Sequence, residues 1–429
     1  MNLKEKIKNK KANIAVIGLG YVGLPLASGF ANSGFNVIGL DNNKEKVKKI
    51  NKGISYISDV SSKDIKTLVK NNSLKATTDK EILKKSDIII ICLPTPLDKH
   101  QQPDVSLLEK ATKTIKKYLK KEQLIILEST TYPGTTKEVI LPILKQDKLK
   151  PGKDFFLAFS PERVDPGNKN YKTKDVPKIV GGITKKGTKL ACLLYDSFVK
   201  ETIPVSSAKT AEMTKLLENT FRIVNISMID EIALMCDKMG IDVWEVIKAA
   251  KTKPYGFMPF YPGPGIGGHC ISIDPFYLSW KAKEHKFYAR FIDLAGQINA
   301  QMPHFVVTKI IYALNKHKKS VNGSNILIWG VSYKKDIPDT RESPAYPVIK
   351  DLIKKGANIK YFDPFVKEFK VNNKKIKKVS NKNLKQYDCI VILTDHSKFN
   401  YEKLPQKSKL IVDTRNAIKK RDYKNVFHL

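Results

Sequence analysis

The sequence predicts an α/β fold in which two parallel-sheet domains are joined by a helical central domain with a long connecting helix. Short apolar runs alternate with amphipathic stretches in the first and last parts of the chain, and helical patterns dominate the middle. The 429 residues also exceed what one hydrophobic core usually organises. We therefore expect three domains, over residues 1–205, 206–318 and 319–429.

The first domain is predicted from short apolar runs that are typical of strands buried on both faces. These runs are Ile14–Gly18, Asn36–Leu40, Asp87–Leu93, Leu124–Glu128 and Phe155–Ala158. Lys-rich amphipathic segments between them, such as Lys44–Lys52 and Leu107–Leu119, predict helices. Regular alternation of strand and helix indicates a parallel sheet that is covered on both faces.

The middle of the chain is predicted to be nearly all helical. Ala211–Lys238 and Phe287–Asn315 are long helical patterns, separated by the loop Lys253–Gly268, which is rich in Gly, Pro and aromatic residues. The second helix is long enough to connect domains and to form a dimer contact.

Strand–helix alternation returns in the last part of the chain. The apolar runs there are Asn325–Gly330, Asn358–Phe362, Cys389–Leu393 and Leu410–Asp413. They predict a second, smaller α/β domain with a parallel sheet of its own.

Composition and charge argue against several classes of protein. The net charge is +35, but only six of the 77 basic residues are Arg, the residue that dominates base-edge recognition, so no specific nucleic-acid ligand is expected. No apolar run approaches a membrane span, and the segment Ile14–Gly20 leads into a Gly-rich turn instead of a signal-peptide cleavage site. The five cysteines lack the spacing of metal or redox motifs, which predicts a reducing, cytoplasmic setting and no metal site.

A dinucleotide site is predicted where the first strand meets the first helix. Gly18, Gly20 and Gly23 have the G-x-G-x-x-G spacing of Rossmann domains, which permits a tight turn, a close pyrophosphate and close helix packing. Asp41 ends the second strand, 23 residues after Gly18. A carboxylate there accepts hydrogen bonds from ribose hydroxyls and repels a 2′-phosphate, which predicts NAD in preference to NADP. The alternative is a tight turn that binds nothing.

A candidate nucleophile lies in the glycine-rich segment YPGPGIGGHCISIDP. A solitary cysteine is usually a small buried apolar residue, but Cys270 follows a polar, glycine-rich loop and precedes Asp274 by four residues. Lys215 and Asn219 have the i, i+4 spacing that places two side chains on one helix face. Together with a dinucleotide site, these residues suggest a hydride-transfer centre. For His269 the two interpretations are a general base and a structural role beside the loop, of which the second is preferred.

Five segments give the sequence a resemblance to a known family over nearly its full length. They are LESTTYPGT, FSPERVDPGN, AEMTKLLEN, YPGPGIGGHCISIDPFYL and YKKDIPDTRESPA. The chain resembles the UDP-glucose/GDP-mannose dehydrogenase family and, within it, the UDP-N-acetylglucosamine 6-dehydrogenases most. The resemblance implies an N-terminal Rossmann domain, a helical linking domain that forms a dimer, and a C-terminal domain that binds UDP.

The resemblance also implies a role for each matching residue. Cys270 would be the nucleophile, Lys215 and Asn219 would hold the C6 oxygen, and Asp274 would help to activate water. Thr130 and Glu162 would lie beside the reacting carbon and its water. The residues implied to line NAD are Gly18, Leu19, Gly20, Tyr21, Val22, Gly23, Asp41, Lys46, Thr95 and Thr130, with Arg341 reaching the cofactor from the C-terminal domain. Those implied to contact the UDP-sugar are Glu162, Arg163, Val164, Asp165, Lys215, Asn219, Gly263, Gly265, Gly267, Gly268 and Lys334.

The implied activity is NAD-dependent oxidation of C6 of a UDP-sugar to a carboxylate. This oxidation removes four electrons, and each NAD accepts two, so two NAD are consumed per sugar. A Cys270 thiolate would convert the intermediate aldehyde into a thiohemiacetal, and its oxidation would give a thioester that water hydrolyses. The uronic acid would serve as a precursor for polysaccharide or glycan synthesis.

One departure from the family pattern bears on the sugar. UDP-glucose members carry a basic residue in the loop before the nucleophile, whereas the stretch 257–261, FMPFY, has none. This favours a sugar with an acetamido group, UDP-N-acetyl-D-glucosamine first, and Phe260 and Tyr261 either form an apolar wall beside that group or pack within the loop. UDP-N-acetylgalactosamine, UDP-N-acetylmannosamine and UDP-glucose are alternatives, because the sequence does not define the stereochemistry at C2 and C4.

Two other classes of protein are disfavoured. A hydroxyacid dehydrogenase of the 6-phosphogluconate type shares the Rossmann start and a Lys–Asn pair, but needs neither Cys270 nor a third α/β domain. A basic binding protein that retains only the fold needs no such set of reactive residues. We therefore expect a cytoplasmic enzyme that acts on a UDP-sugar as a homodimer or higher homo-oligomer, without a specific nucleic-acid or membrane partner.

Overall fold

The computed structural model describes residues 1–57, 59–98, 102–163, 171, 173–268 and 271–429. They form two compact units. The first unit contains Met1–Glu218 and Trp280–Lys286, and the second contains Asn219–Ser279 and Phe287–Leu429. The fold class is the predicted one, since a Rossmann-like sheet lies in each unit and helices dominate the chain between the two sheets. The division into three domains stays a prediction.

An eight-stranded sheet organises the first unit. Its strands are β1 (Asn13–Ile17), β2 (Asn36–Leu40), β3 (Leu74–Thr77), β4 (Ile88–Ile91), β5 (Gln123–Leu127), β6 (Phe155–Phe159), β7 (Lys178–Gly182) and β8 (Thr202–Pro204). Their order is β3-β2-β1-β4-β5-β6-β7-β8, and neighbours run parallel except for the antiparallel pair β6–β7. The sequence does not predict β3, β7 and β8, because their segments are short or contain polar and glycine residues instead of an apolar run.

The core of this unit consists of two apolar layers, one on each face of the sheet. Ile88 and Ile90 belong to one cluster, and Ile89 and Ile91 belong to the other, because successive side chains of a strand point to opposite faces. The helices along this part of the chain are α1 (Leu3–Lys8), α2 (Gly23–Asn32), α3 (Lys44–Asn51), α4 (Ser62–Lys70), α5 (Ile82–Lys85), α6 (Ser106–Tyr118), α7 (Leu141–Leu144) and α8 (Lys185–Tyr195). A π-helical turn at Thr136–Ile140 leads into α7.

Four helices follow the first sheet. They are α9 (Ala208–Met239), α10 (Val243–Ala250), α11 (Asp274–Glu284) and α12 (Arg290–Lys316). The helix α9 begins three residues before the predicted pattern, where the hydroxyl of Ser207 accepts the N–H of Thr210. Among the residues that the structure describes, no helix is both long and apolar enough to cross a membrane.

A six-stranded, all-parallel sheet organises the second unit. Its strands are β9 (Asn325–Trp329), β10 (Asn358–Phe362), β13 (Lys377–Lys378), β14 (Cys389–Ile392), β15 (Ile411–Asp413) and β16 (Val426–His428), and a small hairpin joins β11 (Lys370–Val371) to β12 (Lys374–Lys375). Helix α13 (Ala345–Lys354) follows β9. The order β13-β10-β9-β14-β15-β16 reverses direction between β9 and β14, as that of the first sheet does between β1 and β4. Ligands of doubly wound sheets bind outside the carboxyl ends of the strands at such a point.

Candidate active site

The turn between β1 and α2 has the geometry that a dinucleotide-binding loop requires. Gly18 has φ +91°, and a Cβ added there would lie 2.5 Å from the carbonyl oxygen of Cys92. A Cβ added at Gly23 would lie 1.8 Å from the carbonyl oxygen of Gly18, so α2 packs closely on the turn. At Gly20 an added Cβ meets no heavy atom within 4 Å. The turn therefore leaves room for a pyrophosphate where α2 begins.

The remaining residues of this turn support the same site. Leu19 is buried, and its side chain packs so closely on Gly39 of β2 that a Cβ there would lie 2.6 Å from Leu19 Cδ2. Tyr21 is exposed. Val22 precedes α2 and contributes no side-chain hydrogen bond to it, which leaves the first N–H groups of the helix to an anion.

Asp41 lies directly after β2 and is fixed by the backbone on both sides. Its Oδ2 accepts the N–H of Leu19 at 2.9 Å, and its Oδ1 accepts the N–H of Asn43 at 2.8 Å. Nζ of Lys46 lies 3.5 Å from Oδ2. The structure thus brings together Leu19, Asp41 and Lys46, all of which are predicted to line NAD, and the carboxylate keeps capacity for ribose hydroxyls.

The loops after β4 and β5 are tied together at the same edge of the sheet. The hydroxyl of Thr95 donates a 2.5 Å hydrogen bond to the carbonyl oxygen of Thr130. One residue before Thr130, the hydroxyl of Ser129 accepts the N–H of Leu93 at 2.9 Å. The predicted NAD residues Thr95 and Thr130 therefore lie side by side at the carboxyl ends of neighbouring strands.

Glu162 belongs to a buried ion-pair network that the sequence does not predict. Nζ of Lys178 lies 2.7 Å from Oε2 of Glu128 and 3.6 Å from Oε2 of Glu162. The hydroxyl of Tyr195 donates a 2.5 Å hydrogen bond to the other oxygen of Glu128. Burial disfavours the charged form of Lys178, but the two carboxylates outweigh it and raise the pKa of this lysine, so it stays a cation. The network therefore holds the Lys178 cation in contact with both Glu128 and Glu162.

The guanidinium group of Arg163 is held by contacts with other residues of the first unit. Its Nε and Nη2 contact one carboxylate oxygen of Glu218 at 2.9 and 2.7 Å, and its Nη1 donates to the carbonyl oxygen of Pro177 at 2.7 Å. A role of this side chain in substrate binding stays a prediction. Val164 and Asp165, predicted beside it, lie outside the described residues.

Glu212 anchors the start of α9 to the segment after β5. One of its oxygens accepts the N–H of Gly134 at 2.5 Å, and the other accepts the N–H and the hydroxyl of Thr136 at 2.8 and 2.6 Å. Burial raises the pKa of Glu212 to about 7 although these hydrogen bonds favour the anion. Lys215 lies one turn further along α9 and is 9 % exposed. The anchor therefore fixes the helical turn that carries Lys215.

Asn219 lies one turn after Lys215, and in the second unit it meets Asp274. Its Nδ2 donates a 2.5 Å hydrogen bond to Oδ2 of Asp274, the first residue of α11. The exposed fractions of the two residues are 6 % and 3 %. The structure thus joins two predicted catalytic residues that are 55 positions apart in sequence. Cys270 and His269 lie outside the described residues.

The glycine-rich loop before Cys270 packs tightly within the second unit. The N–H of Gly263 donates to Oδ1 of Asp230 on α9 at 3.1 Å, and the N–H of Gly268 donates to the carbonyl oxygen of Arg341 at 3.0 Å. A Cβ added at Gly267 would lie 2.7 Å from the carbonyl oxygen of Glu342. Close backbone approach within the protein is therefore one reason for the glycines, beside the ligand approach that the sequence predicts. Gly265 lies between them with φ +118°.

Arg415 is a charged residue of this region that sequence reasoning missed. It follows β15, its Nε donates to the carbonyl oxygen of Leu393 at 2.9 Å, and a Cβ added at Gly263 would lie 2.6 Å from its Nη1. A cation at the carboxyl edge of the second sheet, beside the glycine loop, suits a diphosphate. The signal that could have found it is an Arg just after the predicted strand Leu410–Asp413, in a chain with six Arg.

Lys334 and Arg341 lie on the segment between β9 and α13. The carbonyl oxygen of Lys334 accepts the hydroxyl of Ser332 at 2.9 Å, which closes a tight turn. The guanidinium of Arg341 forms an ion pair with both oxygens of Asp339, with Nη2 2.6 Å from Oδ2. Contacts of Lys334 with UDP and of Arg341 with the cofactor stay predictions.

The aromatic residues of the stretch 257–261 are engaged in ring contacts within the second unit. The ring of Phe260 lies edge-on to Phe221 at 5.9 Å, and Tyr261 stacks on Trp244 at 6.1 Å. Phe260 also packs against the apolar cluster that contains Trp244. These contacts favour packing of the loop over an apolar wall for the sugar.

The loop geometry and the strand-end carboxylate are those of dehydrogenases that bind a dinucleotide at the switch point of a doubly wound sheet. Sequence models of the UDP-glucose/GDP-mannose dehydrogenase family match the chain in three parts: the NAD binding domain over residues 12–199, the central domain over 209–301 and the UDP binding domain over 327–420. The chain therefore belongs to the UDP-glucose/GDP-mannose dehydrogenase family, an oxidoreductase family that uses NAD. The predicted family and cofactor are confirmed.

Relatives and solved structures cover nearly the whole chain. It is 39% identical over 420 residues to a UDP-N-acetyl-D-mannosamine dehydrogenase of Methanocaldococcus jannaschii, covering 94% of this chain and 92% of the relative. It is 36% identical over 393 residues to a UDP-N-acetyl-D-glucosamine 6-dehydrogenase of Pseudomonas aeruginosa, covering 91% and 92%. The structure of a UDP-D-ManNAc dehydrogenase from Pyrococcus horikoshii matches with a TM-score of 0.89 and 37% identity, covering 97% of this chain and 98% of that one.

Proposed function

We propose that this chain oxidises C6 of UDP-N-acetyl-D-glucosamine to the uronic acid in two steps, through a thiohemiacetal and a thioester on Cys270. The observation that carries this proposal is the hydrogen bond between Asn219 and Asp274, because it joins a buried amide donor to a buried carboxylate. Asp274 also follows Cys270 by four residues in sequence. We propose a cytoplasmic reaction whose product is a precursor for polysaccharide or glycan synthesis.

The chemistry at C6 requires a nucleophile. When bound at the turn Gly18–Gly23, NAD would supply the hydride acceptor for each of the two oxidations. C6 first loses a hydride and the hydroxyl proton and becomes an aldehyde. The thiolate of Cys270 adds to the aldehyde carbon, and the resulting thiohemiacetal has a hydrogen on carbon that can leave as the second hydride. Water then attacks the thioester, which releases the carboxylate and the thiolate.

The other residues proposed to act at C6 comprise a cation, hydrogen-bond donors and two carboxylates. Lys215 and Asn219 would stabilise the oxyanion of each tetrahedral species, and the charge of Lys215 would favour the thiolate over the thiol. Asp274 would help to activate the water, with its orientation set by Asn219. Thr130 and Glu162 would lie beside the reacting carbon, and Lys178 would keep the Glu162 carboxylate in place.

The UDP moiety carries negative charge, and two cations of the second unit suit it. Lys334 is the predicted phosphate contact, and Arg415, at the carboxyl edge of the sheet beside Gly263, is a second candidate. Gly263, Gly265, Gly267 and Gly268 would let the loop backbone approach the same ligand.

The identity of the sugar rests on the loop and on the relatives. The absence of a basic residue from the stretch 257–261 favours an acetamido sugar. UDP-N-acetyl-D-mannosamine is a second candidate substrate, because the Methanocaldococcus relative named for it is 39% identical to this chain. UDP-N-acetylgalactosamine and UDP-glucose follow.

We further propose a homodimer formed through α9. Several large apolar side chains on this helix are exposed at spacings of four or seven residues, which places them along one face. They are Met213, Leu217, Phe221, Met228 and Met235, with exposed fractions from 38% to 57%. Light scattering of the full-length chain and of Leu217→Glu tests the proposal, which predicts a dimer for the first and a monomer for the second.

A panel of UDP-sugars tests the proposed activity. NADH formation is followed at equal, low concentrations of the four sugars named above. We expect kcat/KM for an N-acetylhexosamine to exceed that for UDP-glucose by about tenfold or more, the size of discrimination that a small substituent gives. A higher value for UDP-glucose would reject the acetamido assignment, and no NADH with any of the four would reject the activity.

A further inference from the structure

The turn that carries Lys334 has a backbone conformation that needs support. Asp336, two residues after Lys334, has φ +64°, the left-handed region that residues other than glycine rarely adopt. Aspartate tolerates this region better than most residues, but holding it still costs free energy. The contacts of the turn therefore determine whether Lys334 has a fixed position.

Contacts from just beyond the ends of β10 and β14, the two strands that flank β9, hold this turn. Asp363, directly after β10, accepts the N–H groups of Val331 and Ser332 on one oxygen, Oδ2, at 2.9 and 3.2 Å. From the segment after β14, the hydroxyl of Thr394 donates to the carbonyl oxygen of Ser332 at 2.6 Å. The turn is thus fixed on the side that precedes Lys334.

His396 holds the side that follows Lys334. Its Nδ1 accepts the N–H of Asp336 at 3.0 Å, and its Nε2 lies 3.1 Å from Oδ2 of Asp363. Because Nδ1 accepts, the proton of the neutral ring resides on Nε2 and is donated to the carboxylate. The imidazole is 0 % exposed, and the ring of Phe365 lies against it at 5.1 Å. The side chain of Asp336 in turn accepts the N–H of Ser397 at 2.9 Å.

We infer that His396 is a positioning residue for the nucleotide: its buried imidazole links Asp363 to the backbone of Asp336 and thereby holds Lys334 where it meets the phosphates of UDP. The inference rests on the proposed contact of Lys334 with UDP. It adds a residue that contacts no ligand and acts through the shape of the turn. Only a ring with an acceptor at Nδ1 and a donor at Nε2 makes both bonds.

Binding of UDP to the full-length enzyme, measured by calorimetry, tests the inference. His396→Asn keeps an acceptor near the place of Nδ1, whereas His396→Gln keeps a donor near the place of Nε2 and loses the bond to Asp336. We expect His396→Gln to weaken UDP binding about tenfold, as an unpaired, partly buried N–H does, and His396→Asn to weaken it less than about threefold. The KM for the UDP-sugar should rise with the UDP Kd, while kcat at saturation and the KM for NAD stay within about twofold of wild type.

A double-variant comparison separates positioning from general damage. Lys334→Ala should itself weaken UDP binding, and adding His396→Gln to it should cost little more, because the histidine acts through this lysine. The matched controls are His428→Gln and His428→Asn, at the other histidine of the same domain, and both should leave UDP binding unchanged. If His396→Gln does not fold, Thr394→Val removes another support of the turn and should weaken UDP binding in the same way.

The possible failures are distinguishable. Wild-type UDP affinity in His396→Gln, together with weak binding in Lys334→Ala, would overturn the positioning role and leave the phosphate contact standing. Effects of His396→Gln and Lys334→Ala that multiply in the double variant would also overturn it. Unchanged affinity in Lys334→Ala would refute the proposed contact itself, and the inference with it.

Discussion

Nδ2 of Asn219 donates a 2.5 Å hydrogen bond to Oδ2 of Asp274, which joins α9 to the first residue of α11. Both side chains are buried, so water competes little for the bond. An amide nitrogen carries two N–H groups, so the bond to Asp274 leaves the second one for the proposed contact with a substrate oxygen.

Replacing Asn219 tests this arrangement. Asn219→Ala should lower kcat by roughly a hundredfold to a thousandfold, the usual cost of losing one oxyanion donor, with the KM for NAD nearly unchanged. Asn225→Ala is the matched control, since Asn225 lies on the same helix and its amide bonds only the carbonyl oxygen of Phe221 among the described contacts. Steady-state kinetics with saturating NAD measure the effect, and a kcat of Asn219→Ala equal to that of the control would contradict the assigned role.

We expect the choice between NAD and NADP to depend on Asp41. A 2′-phosphate would meet this carboxylate, so we expect kcat/KM for NAD to exceed that for NADP by at least about tenfold, equivalent to roughly 1.4 kcal/mol. Lys46, 3.5 Å from Oδ2 of Asp41, offsets part of the repulsion. Asp41→Asn should therefore narrow the preference and Lys46→Ala should widen it. Equal efficiency of wild type with both cofactors would disprove the role of Asp41.

The covalent mechanism predicts a stoichiometry. Wild-type enzyme should form two NADH per sugar consumed, because both oxidations occur before the acid is released. Cys270→Ser should bind NAD as wild type does but lose nearly all turnover to the acid, since a serine hydroxyl is far less ionised at neutral pH. NADH absorbance combined with chromatographic quantification of the sugar measures the ratio. A ratio of one in wild type, or full turnover in the serine variant, would exclude a thioester.

Asp230 should make stability depend on pH. Burial raises the pKa of this carboxyl from 3.8 to about 7, although the N–H of Gly263 and the charge of Arg415 favour its anion. Because the folded-state pKa lies above the unfolded one, the contribution to stability is complete below about pH 4 and is lost as pH rises through about 7. Asp230→Asn should remove this part of the decline in Tm between pH 4 and 7.5. A decline of the same size in the variant would show that Asp230 does not titrate in this range.

Asp388 provides a control of opposite sign. Burial opposes its ionisation, but hydrogen bonds from Lys319 and from the N–H of Asn325 hold its pKa below 3.8. Its contribution to stability is therefore present above about pH 4 and is lost as pH falls further. Asp388→Asn should alter the Tm profile on the acid side only and leave the decline towards pH 7 intact.

Local patterns were enough to predict the fold class and the dinucleotide turn. The turn Gly18–Gly23 and Asp41 lie within one strand–helix–strand unit, so their spacing along the chain determines their spacing in space. Asn219 and Asp274 could be named as candidates, but their hydrogen bond depends on how two distant helices pack. The roles of these residues were predicted from the resemblance to a family, because the periodicity of the sequence does not indicate them.

The ion pair of Lys178 with Glu128 could not be predicted, because 50 residues separate the partners. Glu128 directly follows β5, whereas Lys178 is the first residue of β7. Lys178 begins a buried strand, where a cation survives only with a carboxylate close by. The position of Arg415 beside the glycine loop has a similar cause, because it exists only once the second sheet has formed. The sequence allows either packing or ligand binding for the aromatic residues Phe260 and Tyr261. Their ring contacts with Phe221 on α9 and Trp244 on α10 exist only once these helices have folded.

Asp363 occupies in the second sheet the place that Asp41 occupies in the first, directly after the second strand of the unit. Four backbone N–H groups and His396 already donate to its two oxygens, and the residue is 0 % exposed. Its carboxylate therefore has no oxygen available to accept a hydrogen bond from a ribose hydroxyl. We therefore expect one NAD per chain despite two sheets of the same order. If each chain has one NAD site, the two hydrides are transferred to two NAD molecules that occupy this site in turn. NADH would then have to dissociate and a second NAD would have to bind while the partly oxidised sugar stays in the active site. Turnover would become a matter of cofactor exchange as much as of bond breaking.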